Sequence, residues 1–274
     1  MGRLFVVSTP IGNLEDLTLR ALRVLREVSL IAAEDTRVTR KLLSRYDVHT
    51  RLAPYHEHNR NYQTPLILKA LDHGDVALVS DAGTPVLSDP GADLIRTCIG
   101  LGIEVIAVPG PSAITLAVAI SGLEPEPFLF AGFLPQTRRD REQRLVELAP
   151  VQATLVLFEA PHRVRQTLQD LEQALGDRQV AICRELTKLH EQVIRTRLGA
   201  AADQVPERGE FTLVIEGAPP PAPPQQAAAE ELLRTLLAAG SSRKDAARSV
   251  AAELGLPHRQ VYKLTLEMED EPSA

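Results

Sequence analysis

Tryptophan is absent from this chain, and aromatic residues together make up only 4% of it, so the interior has to be built from Leu, Val, Ile and Ala. Cysteine occurs twice, at Cys98 and Cys183, in unrelated segments. Two isolated thiols make neither a disulfide scaffold nor a metal framework, and each is expected to pack as a small apolar side chain. No apolar run approaches the length of a membrane span. The stretch 4–7 is too short for a signal-peptide core and leads straight into Ser8-Thr9-Pro10-Ile11-Gly12. The expectation is a cytoplasmic protein that does not associate with a membrane. Two phosphate-binding signatures are missing as well. There is no Gly-x-Gly-x-x-Gly after the first strand and no loop ending in Gly-Lys-Ser/Thr, so hydride transfer with NAD and ATP hydrolysis both lose ground.

What is present suffices for more than one folded body. The chain has 274 residues, 44% of them hydrophobic, enough for two domains and a small appendage. The formal charge of −6 does not mark a nucleic-acid binder. Net charge averages over the whole surface, however, and basic residues can still share one face. Arg138, Arg139, Arg141 and Arg144 form one such group, and Arg243, Lys244, Arg248, Arg259 and Lys263 another. A solvated helix face explains either group equally well.

The first half alternates short apolar runs with helical patterns. Segments 4–7, 30–33, 51–56, 76–80 and 103–108 read as strands. Segments 17–28, 38–46, 63–73, 93–100 and 112–120 read as helices between them, which implies a mostly parallel α/β sheet over residues 1–120. Gly122, Pro125 and Pro127 mark a boundary. In residues 121–217, strands are expected at 128–133, 154–159, 179–184 and 211–216, with helices at 138–148 and 163–175. A Pro-rich linker is expected over 218–228, extended and semi-rigid. Three helices, 230–239, 244–254 and 257–268, then make up residues 229–274. A Gly-containing turn between two of them suits a helix-turn-helix, and equally a plain helical hairpin.

The chemistry-bearing residues sit at strand ends. Ser80-Asp81-Ala82-Gly83-Thr84-Pro85, Pro109-Gly110-Pro111-Ser112-Ala113 and Thr9-Pro10-Ile11-Gly12 each follow a strand. Ligands of open α/β sheets bind beyond the carboxyl ends of the strands, so three such loops favour a cleft if their strands are neighbours. Glu34-Asp35-Thr36-Arg37 and Tyr55-His56-Glu57-His58-Asn59-Arg60 supply acids, bases and histidines at two further strand ends. On an extended segment Glu57 points away from His56 and His58, so no metal set is expected there.

Together these segments resemble the tetrapyrrole methylase superfamily, a non-Rossmann class of S-adenosylmethionine-dependent methyltransferases. Within it they resemble the bacterial enzymes that methylate a ribose 2′-hydroxyl of a cytidine in 16S rRNA. The resemblance is carried also by Asp89-Pro90-Gly91, Gly132-Phe133-Leu134-Pro135, Pro161-His162-Arg163, Arg184-Glu185-Leu186-Thr187-Lys188 and Gly209-Glu210-Phe211. It runs from Gly2 to about Gly217, and the terminal helices are similar to that subfamily's appended helix-turn-helix.

The resemblance implies a two-domain α/β fold with the methyl donor in the cleft between domains, a homodimer, and the 30S subunit as substrate. It implies donor contacts from Pro10, Ile11, Gly12, Asp81, Gly83, Thr84, Ser112, Ala113, Phe158, Leu186 and Phe211. Tetrapyrrole-modifying members usually carry Gly-Asp-Pro where this chain has Ser80-Asp81-Ala82, which supports the RNA branch. A methyl sulfonium needs alignment more than activation. A ribose hydroxyl benefits from a proton acceptor, for which Glu34, Asp35 and His58 are candidates, with Asn59 orienting. Arg37, Arg163 and Lys188 are candidates for phosphate contacts. Two other readings stay open: a tetrapyrrole carbon methylase of the same fold, and a nucleic-acid-binding protein without enzymatic activity.

Overall fold

The computed structural model describes residues 1–220 and 224–267. The chain divides into two units, Met1–Ala218 and Pro219–Ala274.

The first unit opens with five strands: β1 (Leu4–Val7), β2 (Leu30–Ala33), β3 (Leu52–Pro54), β4 (Val76–Val79) and β5 (Val105–Val108). They form one sheet in the order β3-β2-β4-β1-β5, and every pairing in it is parallel. Helices α1 (Leu19–Glu27) and α2 (Thr36–Arg45) cover one face; α3 (Arg60–Leu71) and α4 (Ala92–Gly100) cover the other. That double cover explains why β2 and β4 are buried at every position and read as unbroken apolar runs. Thr18 caps α1 by accepting from the Ala21 N–H, and Asp35 caps α2 by accepting from the Arg37 N–H.

The second sheet comprises β6 (Phe128–Phe133), β7 (Thr154–Glu159), β8 (Gln179–Arg184), β9 (Gln192–Arg197) and β10 (Phe211–Ile215), in the order β6-β7-β10-β8-β9. Only β6 and β7 run parallel; the other neighbours are antiparallel. Side chains alternate between its faces. Leu155, Leu157, Ile182 and Leu213 pack under α6 (Arg138–Leu148), α7 (Val164–Leu175) and the short α8 (Leu198–Ala201).

Val156, Ala181, Cys183 and Val214 pack on the opposite face against Ile114, Ala117 and Val118. Those three residues belong to α5 (Ala113–Ser121). The expected boundary at 120–121 is therefore misplaced. The helix assigned to the first sheet covers the second, and the chain changes layers at 109–112.

In the second unit α9 spans Pro224–Ala238, so residues 224–228 are helical and not linker as expected. Residues 221–223 of the expected spacer lie outside the described residues, as does Met268 at the expected end of the third helix. Ser242 caps α10 (Arg243–Leu254), and Gly255, left-handed at φ 66°, turns the chain into α11 (His258–Glu267). Ala229, Leu233, Ala247, Val250, Val261 and Leu264 form this unit's own core.

Candidate functional site

The strand order brings the expected loops together, because β1 lies between β4 and β5. Thr9 and Gly83 exchange backbone hydrogen bonds of 2.9 and 3.0 Å. The Thr9 hydroxyl donates to the Ser80 carbonyl at 3.2 Å, and the Ser8 and Thr84 hydroxyls lie 3.0 Å apart. Gly110 is required by this convergence, since a Cβ there would stand 2.9 Å from the Ser8 Cβ. The loop after β2 joins the set through two bonds to the loop after β4. The Asp35 N–H donates to Asp81 Oδ1 at 3.0 Å, and the Asp81 N–H donates to Glu34 Oε2 at 3.2 Å.

A cavity of about 440 Å³ opens above these loops, between the two sheets. Ile11, Ala113, Phe158 and Phe211 supply apolar wall; Asp81, Gly83, Thr84 and Ser112 supply polar edge. Its acids are Glu34, Asp81, Asp89, Glu159 and Glu210, and among the described residues its lining contains no Lys, Arg or His. Glu159 is fully buried and structural. It accepts from the Thr167 hydroxyl at 2.6 Å and from the Ala160 N–H at 2.8 Å, which fixes the turn after β7. Phe158 is held edge-on by Phe130 at 4.9 Å between ring centres.

A second cavity of about 510 Å³ shares Glu34, Ser88 and Asp89 with the first. Its other walls differ in kind: His56, His58, Arg60 and Arg96 lie there, with Glu57 and Asp93. Arg60 and Arg96 both pair with Asp93. The His56 Nδ1 is buried without a hydrogen-bond partner.

The acids along this junction differ in electrostatics. Burial pushes the Glu34 carboxyl up, and burial likewise raises Asp81. Asp89 is held up at about 6, first by burial, then by the charge of Glu34. Asp35 goes the other way, down to about 2, because the Arg37 side chain and N–H donate to it.

These placements sort the candidates. Ile11, Asp81, Gly83, Thr84, Ser112, Ala113, Phe158 and Phe211 line the first cavity. Pro10 and Leu186 are buried and lie outside its lining. Gly12 instead packs on the loop after β8, where a Cβ would stand 2.4 Å from Lys188 Cγ.

Glu34 touches both cavities and His58 the second; Asp35 and Asn59 line neither. Asp35 is committed to capping and to Arg37. Asn59 accepts from the His56 N–H and donates to the Pro54 carbonyl, so it orders the turn and not the His58 ring. That turn corrects the expectation of an extended 56–58 segment, since 57–59 are a turn leading into α3. The two His rings consequently meet edge-to-face, 6.1 Å apart.

Two of the phosphate candidates have partners within the chain. The Arg163 guanidinium donates to the Leu134 and Pro135 carbonyls and sits by Glu159, and Lys188 is clamped between Glu185 and Glu210. Arg37, with its side chain 83% exposed, stays accessible. The basic group on α6 is largely self-paired, through Arg138–Glu142, Arg141–Asp170 and Arg144–Glu147. Asp89, Arg60 and Arg96 are the residues that local sequence reasoning passed over. Asp89 lies within a quoted motif, yet its neighbour Glu34 is far away in the chain.

The family model described as Tetrapyrrole (Corrin/Porphyrin) Methylases matches residues 3–202. The chain is 47% identical over 276 residues to the ribosomal RNA small subunit methyltransferase I of Synechocystis sp., covering 98% of this chain and 99% of that protein. It is 44% identical over 272 residues to the protein of the same name from Halalkalibacterium halodurans, covering 96% and 94%. Among solved structures it resembles a diphthine synthase, with a TM-score of 0.60 at 15% identity, over 79% of this chain and 90% of that one. It also resembles a uroporphyrin-III C-methyltransferase from Thermus thermophilus, solved with S-adenyl homocysteine. There the TM-score is 0.56 at 21% identity, over 78% and 97%. At these identities the structural likeness speaks for the fold.

Proposed function

The chain belongs to the tetrapyrrole methylase family and is a methyltransferase, and from that premise we propose that it methylates a ribose 2′-hydroxyl of a cytidine in 16S rRNA, taking the methyl group from S-adenosylmethionine. The substrate in this reading is the assembled 30S subunit, and the enzyme works as a homodimer in the cytoplasm.

The donor fits the first cavity on chemical grounds. It carries a sulfonium, an ammonium and a carboxylate, leaving it net positive, with an adenine that has apolar faces and no phosphate. A cavity walled by Phe158, Phe211 and Ile11, with carboxylates and no basic side chain among the described residues, suits such a cation. It repels a nucleoside phosphate. When bound, the donor supplies a methyl group on positively charged sulfur, an electrophile that needs no further activation. Asp81 keeps its second carboxylate oxygen for the bound cation while Oδ1 holds the Asp35 N–H. The apolar walls exclude water, which strengthens that attraction.

The acceptor side follows from the contrast between the cavities. Arg60 and Arg96 bring positive charge to the second cavity, beside the acids it shares with the first. Phosphate contacts supply much of an RNA enzyme's affinity, and exposed Arg37 adds one more near the mouth. Within the same reading, Lys244, Arg248 and Arg259 of the second unit make further contacts with the subunit. His58 and Glu34 contact the acceptor nucleotide, with Asn59 holding the turn that presents the histidines.

The junction carries this reading: a cation-seeking cavity and an anion-tolerant one meet at Glu34 and Asp89. The test is methyl transfer from labelled donor to 30S subunits that lack the modification, with nuclease mapping of the product. The expected result is label on the ribose of one cytidine. Label on a free tetrapyrrole and none on RNA would overturn the reading.

A further inference from the structure

Of the acids at the junction, most are already engaged. Asp35 is bound by Arg37, and Asp93 by Arg60 and Arg96. Glu34 Oε2 accepts from the Asp81 N–H, and Asp81 Oδ1 from the Asp35 N–H. Asp89 lies beside Ser80, whose hydroxyl donates to the Ala82 carbonyl at 3.3 Å, and its carboxylate keeps acceptor capacity, because a carboxylate takes about four hydrogen bonds. It lies where the two cavities meet.

The backbone holds it there under strain. Val86 at φ 80° and Ser88 at φ 69° occupy the left-handed region, which is costly for side chains with a Cβ and more so for a β-branched one. Gly91 ends the loop at φ 132°, where a Cβ would stand 2.8 Å from Leu78 Cδ2 in β4. Packing on β4 thus fixes the turn that presents Asp89. Strain of this kind persists where the surroundings over-determine a conformation, and it clusters at functional sites.

We propose that Asp89 is the proton acceptor of the methyl transfer, poised at the junction to take the hydrogen of the acceptor hydroxyl. This rests on the reading of the preceding subsection. As the 2′ oxygen bonds to the methyl carbon, the carbon–sulfur bond breaks and its electron pair stays on sulfur as a neutral thioether. The hydroxyl proton moves to an Asp89 carboxylate oxygen and leaves to solvent. The loss of charge at sulfur and the neutralisation of Asp89 occur together, so no net charge is stranded in the cleft.

The electrostatics agree. Burial and the negative charges of Glu34 and Asp81 raise Asp89 to about 6, so it is ionised at neutral pH and more basic than an ordinary carboxylate. From the second sheet, Glu159 faces the cleft but is tied to Thr167 and Arg163, and Glu210 is tied to Lys188. Across the second cavity stand His56, His58 and Glu57, with Arg60 and Arg96 on Asp93.

Single-turnover transfer to unmodified 30S subunits between about pH 5 and pH 8 tests the assignment. General-base catalysis contributes about a hundredfold or more, so Asp89→Asn should be slower by that factor. The native enzyme should show a rate that rises with pH around 6, and Asp89→Asn should lose that rise. Subunit affinity should stay within about threefold, and donor affinity should fall by no more than about tenfold, since Asp89 is one of several carboxylates lining that cavity, so the rate at saturating donor carries the test. Asp89→Glu should keep the pH-dependent rise at a reduced rate, and it decides the matter if Asp89→Asn does not fold. An Asp89→Asn enzyme near the native rate, or an Asp89→Glu enzyme at the native rate at every pH, would overturn the proposal alone. A native protein that binds donor yet labels no RNA would overturn the parent reading and this proposal with it.

Discussion

The two cavities are alike in size, about 440 and 510 Å³, and unlike in construction. The first takes its walls from both sheets, from Ile11 and Asp81 on one side and Phe158 and Phe211 on the other. The second is built entirely from residues 34–96, the loops and helices of the parallel sheet. One is apolar and acidic, the other polar with cations. In the proposed reading the parallel sheet alone presents the acceptor surface, and the second sheet closes over the donor. The contact between sheets is tight: Gly12 has no room for a side chain against Lys188, and the Asn13 N–H donates to the Thr187 hydroxyl at 3.1 Å. Substitutions should thus divide into those that change donor affinity and those that change RNA affinity.

Asp81→Ala should produce the largest separation. It removes a carboxylate that lines the proposed donor cavity and the tie between the loops after β2 and β4. A charged hydrogen bond is worth about 1.5–3 kcal/mol, so donor affinity should fall by about tenfold to a hundredfold. Affinity for 30S subunits should hardly change. Calorimetry with donor, beside subunit pull-down, checks both halves. Equal donor affinity in the folded variant, or equal losses in both assays, would remove the division of roles.

Arg60→Ala probes the other side with a smaller effect. Its partner Asp93 keeps Arg96, so the fold should survive. Loss of one phosphate contact should weaken subunit binding by about tenfold and reduce the salt dependence by about one counterion. Donor affinity should be unchanged. Parallel salt dependences for the two proteins would take Arg60 out of the RNA path.

Much of the fold was legible in the sequence, and what was not has identifiable causes. The buried strands of the parallel sheet are apolar on both faces, so β1, β2 and β4 stand out from their flanks. Strand β9 was missed. It is an edge strand whose Arg195 and Arg197 point partly to solvent, which erases the period-2 signal. Helix α5 is apolar almost all round, so its pattern does not say which sheet it covers.

The three strand-end loops were legible because each follows a strand. That they converge depended on the order β4-β1-β5, which no local pattern contains. Arg163 read as a free cation because the Leu134 and Pro135 carbonyls that hold it come from another segment. Asp89 was passed over for the same reason in reverse. What sets it apart is burial and then the charge of Glu34, brought in by the pairing of β2 with β4.

The smallest expected effect is on stability, and its sign is informative. Asp89 stands at about 6 in the folded chain, above the ordinary 3.8. Between those values the folded state holds a proton that the unfolded state has released, so stability falls as pH rises through this window. Below about pH 4 the penalty is absent, and above about pH 6 it is complete. A fully buried group with that displacement would cost about 3 kcal/mol, but Asp89 is only partly buried, and solvent screening leaves about 1 kcal/mol.

Asp89→Asn removes the charge and keeps the size of the side chain and an acceptor oxygen. It should melt about 3 °C higher than the native protein at neutral pH and at nearly the same temperature near pH 4. Melting curves of both proteins across that range measure it. A gain that does not vary with pH would mean that the loop is relieved of strain and not of charge. A loss at neutral pH would mean that Asp89 is a structural ion. A stabilised and slow enzyme is what the junction model requires, because the charge that destabilises the fold is the one that takes the proton.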